Sequence, residues 1–344
     1  MANADAGVRA EAEPARVAVI RAGALGDVLL GLPALRALRR IVPAARITLV
    51  APAPQVHIAT WDATADEVVA FDEPSLAPLI AGEATSLPDA LRGVDGAVVW
   101  MRRHAEVAAC LRALGVRVIA SGAPFPPPGV RVHASDWLVE SIVGAIGPVT
   151  SPSPAAEPWQ LSATVGLTPP ADAQARINVR LADVGLGNGP YVVLHPGSGS
   201  RRKNWPVAAW IDVAGPLARE RPVVVVAGPA EQEILVDFQR AWQASWGTLP
   251  AILECLSLAE VAALLAGAAL YLGNDSGVSH LAAAVGARCA VVFGPTNPAV
   301  WRPRGPHVTV LGGATPSADS LFAEEPAWPS VEAVRQAVDG WLRR

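Results

Sequence analysis

The chain has 344 residues, too many for one ordinary core and suited to two domains of roughly 150 residues each. Its 51% hydrophobic and 17% charged content excludes a disordered chain and fits layered α/β architecture, in which elements are buried on several sides. A formal net charge of -4 without a long run of like charges excludes the electrostatic footprint of a nucleic-acid partner.

Residues 1–15 are polar and acidic, with no apolar core of a signal peptide, and predict a disordered tail on a cytoplasmic protein. No apolar stretch reaches the roughly 20 residues that span a bilayer, so membrane contact is expected only as a peripheral one at the inner membrane face. Cys110, Cys255 and Cys289 sit in apolar contexts without CxxC spacing, which reads as core thiols rather than a disulfide or zinc framework.

The run RVAVIR (Arg16 to Arg21) predicts a buried strand. AGALGD then places Gly23 and Gly26 in a turn before VLLGLPALRALRRIV, which has helical spacing. RITLVAP, GAVVW and RVIA read as further strands of a parallel sheet with helical crossovers, so residues 16–165 form a Rossmann-like first domain. The proline-rich stretch from Pro148 to Pro170 predicts the interdomain linker.

The pattern restarts over residues 175–330. YVVLHPG and PVVVVAGP are strands ending in glycine turns at Gly197 and Gly228, and PVAAWIDVAGPLARE between them is helical. LAEVAALLAGA predicts a helix, ALYLG a strand, GVSHLAAAVG a helix and CAVVF the next strand. Residues 331–344 read as an amphipathic C-terminal helix.

Four polar turns follow predicted strands at the end where open α/β sheets place ligands. Asp27 in AGALGD suits either a first-turn acid favoured by the helix dipole or a general base reached past small residues. In HPGSGSRRKNWP, small residues including Ser198 let backbone approach a ligand, and Lys203 is the cation to set against a diphosphate. Glu231 in AGPAEQE suits a helix-start acid or an acceptor for ribose hydroxyls. Asn274, Asp275 and Ser276 are all good N-caps where one is enough, and Gly277 leaves room for a phosphate at the free amides of the helix start. His280 lies one turn further along that helix, on a face otherwise of Leu, Ala and Val.

The blocks RAGALGDVLLGLPALRALRRIVPAARI, LHPGSGSRRKNWP and LGNDSGVSHLAAAVGARCAVVFGPTNP, in this order, resemble glycosyltransferase family 9, the ADP-heptose:lipopolysaccharide heptosyltransferases. The resemblance runs from about Arg16 to Arg304. It implies an α/β, GT-B fold with two Rossmann-like domains facing across a cleft: an acceptor-binding first domain, a nucleotide-sugar-binding second one, and a C-terminal helix crossing back to the first. By the same resemblance Asp27 is the catalytic base that deprotonates the acceptor hydroxyl. Lys203, Ser198, Asn274, Asp275, Ser276, Gly277 and His280 hold the donor phosphates and sugar, and Glu231 holds the nucleoside.

The implied reaction is inverting transfer of a sugar, heptose by the resemblance, from an ADP-sugar or another nucleotide-diphosphate sugar to a hydroxyl of a glycan or glycolipid. The chain contains no DxD motif to seat a divalent ion on the diphosphate, so metal-independent transfer without a cofactor is expected. In the first domain only Arg102, Arg103 and His104 suggest a basic acceptor surface, and they read equally as a solvated turn. A nucleotide-sugar-binding protein without turnover is the alternative. A nicotinamide oxidoreductase lacks its GxGxxG here.

Overall fold

The computed structural model describes residues 14–146, 166–187, 189–317 and 319–343. Nearly all of the predicted tail and most of the predicted linker lie outside the described residues. In chain order the first domain comprises β1 (Arg16–Arg21), α1 (Leu25–Ile41), β2 (Arg46–Ala51), β3 (Glu67–Ala70), α2 (Ala77–Ala81), β4 (Gly96–Trp100), α3 (His104–Ala113), β5 (Val118–Gly122) and α4 (Ala134–Ile146). Its strands are all parallel, in the order β3-β2-β1-β4-β5. β1 is central, and Ala18, Val19 and Ile20 are wholly buried, as a run covered on both faces requires.

The second domain comprises α5 (Ala171–Asp183), β6 (Val192–His195), α6 (Val207–Leu217), β7 (Val223–Ala227), α7 (Gln232–Trp246), β8 (Ala251–Glu254), α8 (Leu258–Ala266), β9 (Leu270–Asn274), α9 (Gly277–Ala284), β10 (Cys289–Phe293), α10 (Pro298–Trp301), β11 (Val308–Gly312) and α11 (Val331–Leu342). Its sheet runs β11-β10-β9-β6-β7-β8, again parallel. Strand order reverses between β1 and β4 in one sheet and between β6 and β9 in the other. The turns carrying Asp27, Lys203 and Asp275 therefore stand at the switch points, where a parallel sheet leaves a crevice beyond its strand ends.

The two domains are joined by packing as well as by chain. One buried apolar cluster includes residues of both, and α1 lies against α9. A Cβ on Gly277 would stand 2.8 Å from Leu25 Cβ and 2.9 Å from the Gly26 nitrogen, so only glycine permits this approach. Beside it His133 Nε2 lies 2.9 Å from the Arg302 carbonyl, Arg304 Nη1 donates to Asp136 Oδ1 at 2.8 Å, and Phe125 meets Trp301 edge-on at 5.8 Å.

Two expectations are corrected. The C-terminal helix does not cross back: α11 packs on α6 and on β9, β10 and β11, burying Val334 and Val338 in the second core. Arg335 Nη2 holds it there by donating to the Asp212 carbonyl at 2.6 Å. The apolar face of α11 is satisfied within its own domain. Cys255 is exposed, whereas Cys110 and Cys289 are buried. It lies beyond the end of β8, at a φ of 56° that takes its side chain out of the strand's alternation.

Candidate active site

Asp27 is the third residue of α1, and its side chain closes the turn before the helix. Its Oδ2 accepts the Ala24 N–H at 2.8 Å. Gly23 makes room at a φ of 133°, since a Cβ there would fall 2.4 Å from that oxygen. Asp27 Oδ1 lies 3.5 Å from Nη2 of Arg21, a side chain only 2% exposed. Arg21 also donates to the Asp27 carbonyl at 3.0 Å and to the Pro124 carbonyl at 2.8 Å. Burial lowers the Arg21 pKa to about 10, and the Asp27 carboxylate opposes the fall. Asp27 is thus both the first-turn acid and a partly exposed carboxylate at the cleft.

A cavity of about 210 Å³ is walled by Gly26, Asp27 and Leu30 of the first domain and by Lys203, Asp275, Ser276, Gly277, His280, Thr296, Trp301 and Phe322 of the second, among others. The carboxylate of one domain and the cation of the other share one space. Lys203 Nζ stands 3.4 Å from Asp275 Oδ2, which also accepts the Thr296 hydroxyl at 2.8 Å. Both side chains line the cavity, so the Asp275 carboxylate holds Lys203 in place while its own charge would repel an anion.

The neighbours of Asp275 divide by role. Ser276 is the N-cap of α9, accepting the Ser279 N–H at 3.3 Å, and it also lines the cavity. Asn274 is wholly buried and does not line it. Its Oδ1 accepts the Trp205 N–H at 2.9 Å, and its Nδ2 donates to the Pro196 carbonyl at 2.7 Å. The expectation that Asn274 binds phosphate is corrected: a fully buried amide needs partners on both atoms, and the loop after β6 supplies them. Gly277 reaches the cavity, but its missing side chain is required first by Leu25 and Gly26.

His280 also faces the cavity. Burial and then the Lys203 charge lower its pKa to about 3, against a raising contact with the Trp301 carbonyl, so the ring is neutral at pH 7. His133 behaves alike: burial, then Arg304, lowers it to about 4.

Ser198 and Glu231 do not line this cavity. The Ser198 hydroxyl lies 2.6 Å from Asn204 Oδ1 and 2.7 Å from the Ser200 carbonyl, bracing the loop that carries Lys203. Glu231 Oε2 accepts the Gly228 N–H at 2.9 Å, and Oε1 lies 3.7 Å from His195 Nε2. Burial raises the Glu231 pKa, but the hydrogen bond and charge of His195 and the N–H of Gly228 bring it below the ordinary value. Gly197 is a glycine because a Cβ there would fall 2.1 Å from Glu231 Cγ. Arg103 lies outside this cavity, donating to the Ala81 carbonyl at 3.1 Å.

Sequence reasoning missed Arg21, Thr296, Trp301, Leu321 and Phe322. Arg21 had a signal, a charge closing the apolar run VAVI of β1, and Thr296 stands in a glycine-proline turn after β10. Phe322 had none. It is brought to the cavity by Arg202, whose guanidinium lies 4.8 Å over its ring, and by the Ala323 N–H donating to the Pro295 carbonyl at 2.8 Å.

Residues 154–327, half of the chain, match the model of glycosyltransferase family 9 (heptosyltransferase). The chain belongs to glycosyltransferase family 9. Among family relatives, lipopolysaccharide heptosyltransferase 1 of Pseudomonas aeruginosa is 35% identical over 144 residues, 41% of this chain and 39% of that protein. The chain thus spans about two fifths of the length of the first curated relatives it matches.

Two solved structures share the fold over nearly their whole length. A family 9 glycosyltransferase from Veillonella parvula superposes with a TM-score of 0.72 at 20% identity, over 97% of this chain and 99% of that one. The Escherichia coli heptosyltransferase WaaC with ADP gives 0.63 at 23% identity, over 95% of this chain and 99% of that one. The arrangement is GT-B, two parallel-sheet domains facing across a cleft.

Proposed function

We propose that this protein is an inverting glycosyltransferase that moves a sugar, heptose by family, from an ADP-sugar to a hydroxyl of a glycan or glycolipid acceptor. The observation that carries the proposal is the shared cavity, in which Asp27 of one domain faces Lys203, His280 and the start of α9 of the other. Asp27 takes the acceptor hydroxyl proton as that oxygen bonds to the anomeric carbon. The bond from that carbon to the diphosphate breaks on the opposite face, which inverts the centre. The electron pair leaves on the diphosphate, where negative charge grows most in the transition state. Lys203 and the α9 N-terminus meet that charge. His280, neutral, offers hydrogen bonding without competing for it.

The Ala24 N–H occupies Oδ2, so Oδ1, with the Arg21 guanidinium 3.5 Å away to orient it, is the oxygen that would meet the acceptor. With cationic and dipolar groups at the leaving end and no DxD motif, the proposed transfer needs no divalent ion. Among the described residues no helix is long and apolar enough to cross a membrane. A glycolipid acceptor would be met peripherally.

The deciding experiment measures ADP release and product formation from ADP-sugars by the wild type and Asp27→Asn, which keeps an acceptor for the Ala24 N–H. The variant should bind ADP within a few fold of wild type and lose transfer by ~10²- to 10⁴-fold, the usual cost of removing a general base. An active variant would sink the role of Asp27. Nucleotide binding without turnover in either form would favour a binding protein. Added EDTA should leave the rate unchanged.

A further inference from the structure

The reaction cavity has a neighbour. A second cavity of about 220 Å³ lies between Pro126, Pro127, Pro128 and Val130 of the first domain and Trp301 and Leu321 of the second. Trp301 and Leu321 belong to the walls of both spaces, so the two abut at the indole, with Asp27 on the other side. The indole is fixed there by Phe125 edge-on at 5.8 Å and by the His133 contact to the next carbonyl at 2.9 Å.

The wall chemistry is selective. Prolines carry no N–H, and Val300 and the residues above are apolar. Two of the polar wall residues are engaged locally: Asn297 Oδ1 accepts the Ala299 N–H at 2.9 Å, and Ser320 Oγ donates to the Phe322 carbonyl at 2.7 Å, while Thr315 adds an uncharged hydroxyl to the wall. Among the described residues Arg131 is the single cation in this wall. A phosphorylated headgroup calls for several convergent cations or a fork of arginines, which the described residues of the groove do not supply. A pyranose ring instead has an apolar C–H face and hydroxyls around its rim, and a rigid aromatic beside a proline ridge can bury the first while leaving the second wet.

Building on the transferase reading above, we infer that this groove is the acceptor subsite. It receives an uncharged pyranose ring by its C–H face on Trp301 and the ridge of Pro126 to Pro128, with the attacking hydroxyl directed past the indole toward Asp27. Specificity for the acceptor thus resides in the junction of the two domains, and not in a basic surface of the first.

The test uses the full chain with ADP present and reads saturation-transfer NMR on methyl pyranosides of gluco, galacto and manno configuration, and on their 6-phosphates. At least one neutral pyranoside should receive saturation through its ring C–H protons. Val130 is 36% exposed, so Val130→Trp should fill the groove without disturbing a core and weaken that binding at least fivefold. Val130→Glu, which sets a charge in the wall, should weaken it by a similar factor. The thermal shift given by ADP should be unchanged in both variants, which also confirms that they fold. The inference fails if no neutral pyranoside binds, if both variants bind as the wild type does, or if a 6-phosphate binds more than tenfold tighter than its parent. A wild type that ADP does not stabilise would instead defeat the transferase reading, whatever the pyranosides do.

Discussion

The turn after β1 and the turn after β9 stand at matching places in their sheets, yet they close differently. In the first, the acid itself closes the turn: Asp27 reaches back to the Ala24 N–H and is flanked by Arg21. In the second, Ser276 caps α9, Asn274 ties the strand end to the loop after β6, and Asp275 is left to hold Lys203. One turn combines structure and proposed chemistry in a single carboxylate; the other separates them over three side chains. A substitution in the second turn can therefore remove support without touching the ligand, whereas one at Asp27 affects both.

The largest effect that would sharpen this contrast is expected at Asn274. Asn274→Ala leaves the Trp205 N–H and the Pro196 and Gly197 carbonyls short of a partner inside the protein. At the usual cost of an unmet buried polar group, the loss should be about 3 kcal/mol of stability, read by chemical denaturation. Unchanged stability with weakened ADP binding would restore Asn274 as a ligand contact and erase the division of labour drawn above.

The central strands were legible in the sequence because each is a continuous apolar run, as in β1, β4, β7 and β10. Three of the four edge strands, β3, β8 and β11, were not, since their short, half-buried runs are interrupted or flanked by polar residues; the fourth, β5, was read from RVIA. In the site, Asp27, Lys203, Asp275 and His280 could be read because they follow strands in small-residue turns. What each side chain bonds to could not. Asn274 and Pro196 are 78 residues apart, and only the pairing of β6 with β9 brings them together. Trp301, Leu321 and Phe322 come from segments without periodicity and reach the cavity through tertiary contacts alone.

A next effect tests the junction between the two turns. Both His133 and His280 have pKa values lowered from 6.5, to about 4 and about 3, chiefly by burial. The unfolded chain therefore binds more protons than the folded one between those values and 6.5. The stability they contribute is complete above pH 6.5 and is lost as pH falls through that window, by up to about 1.4 kcal/mol per pH unit for each ring. Melting temperature should drop steadily from pH 7 to pH 5, and His133→Asn should flatten that slope by roughly half. A slope that survives unaltered in the variant would place the titration elsewhere.

The smallest expected effect separates the roles of Lys203 and Asp275 within the second turn. Lys203→Ala should weaken ADP about tenfold, or roughly 1.4 kcal/mol, and leave adenosine unaffected, since a compact ammonium recognises the phosphates and not the base. Part of that loss would come from Asp275, whose carboxylate would then face the diphosphate with only the Thr296 hydroxyl against it. The double variant Lys203→Ala with Asp275→Asn should therefore bind ADP more tightly than Lys203→Ala alone, even though it has lost another polar wall. Titration of the three proteins by calorimetry gives the comparison. If the double variant is weaker still, Asp275 contributes to the ligand directly and is not only the brace for Lys203.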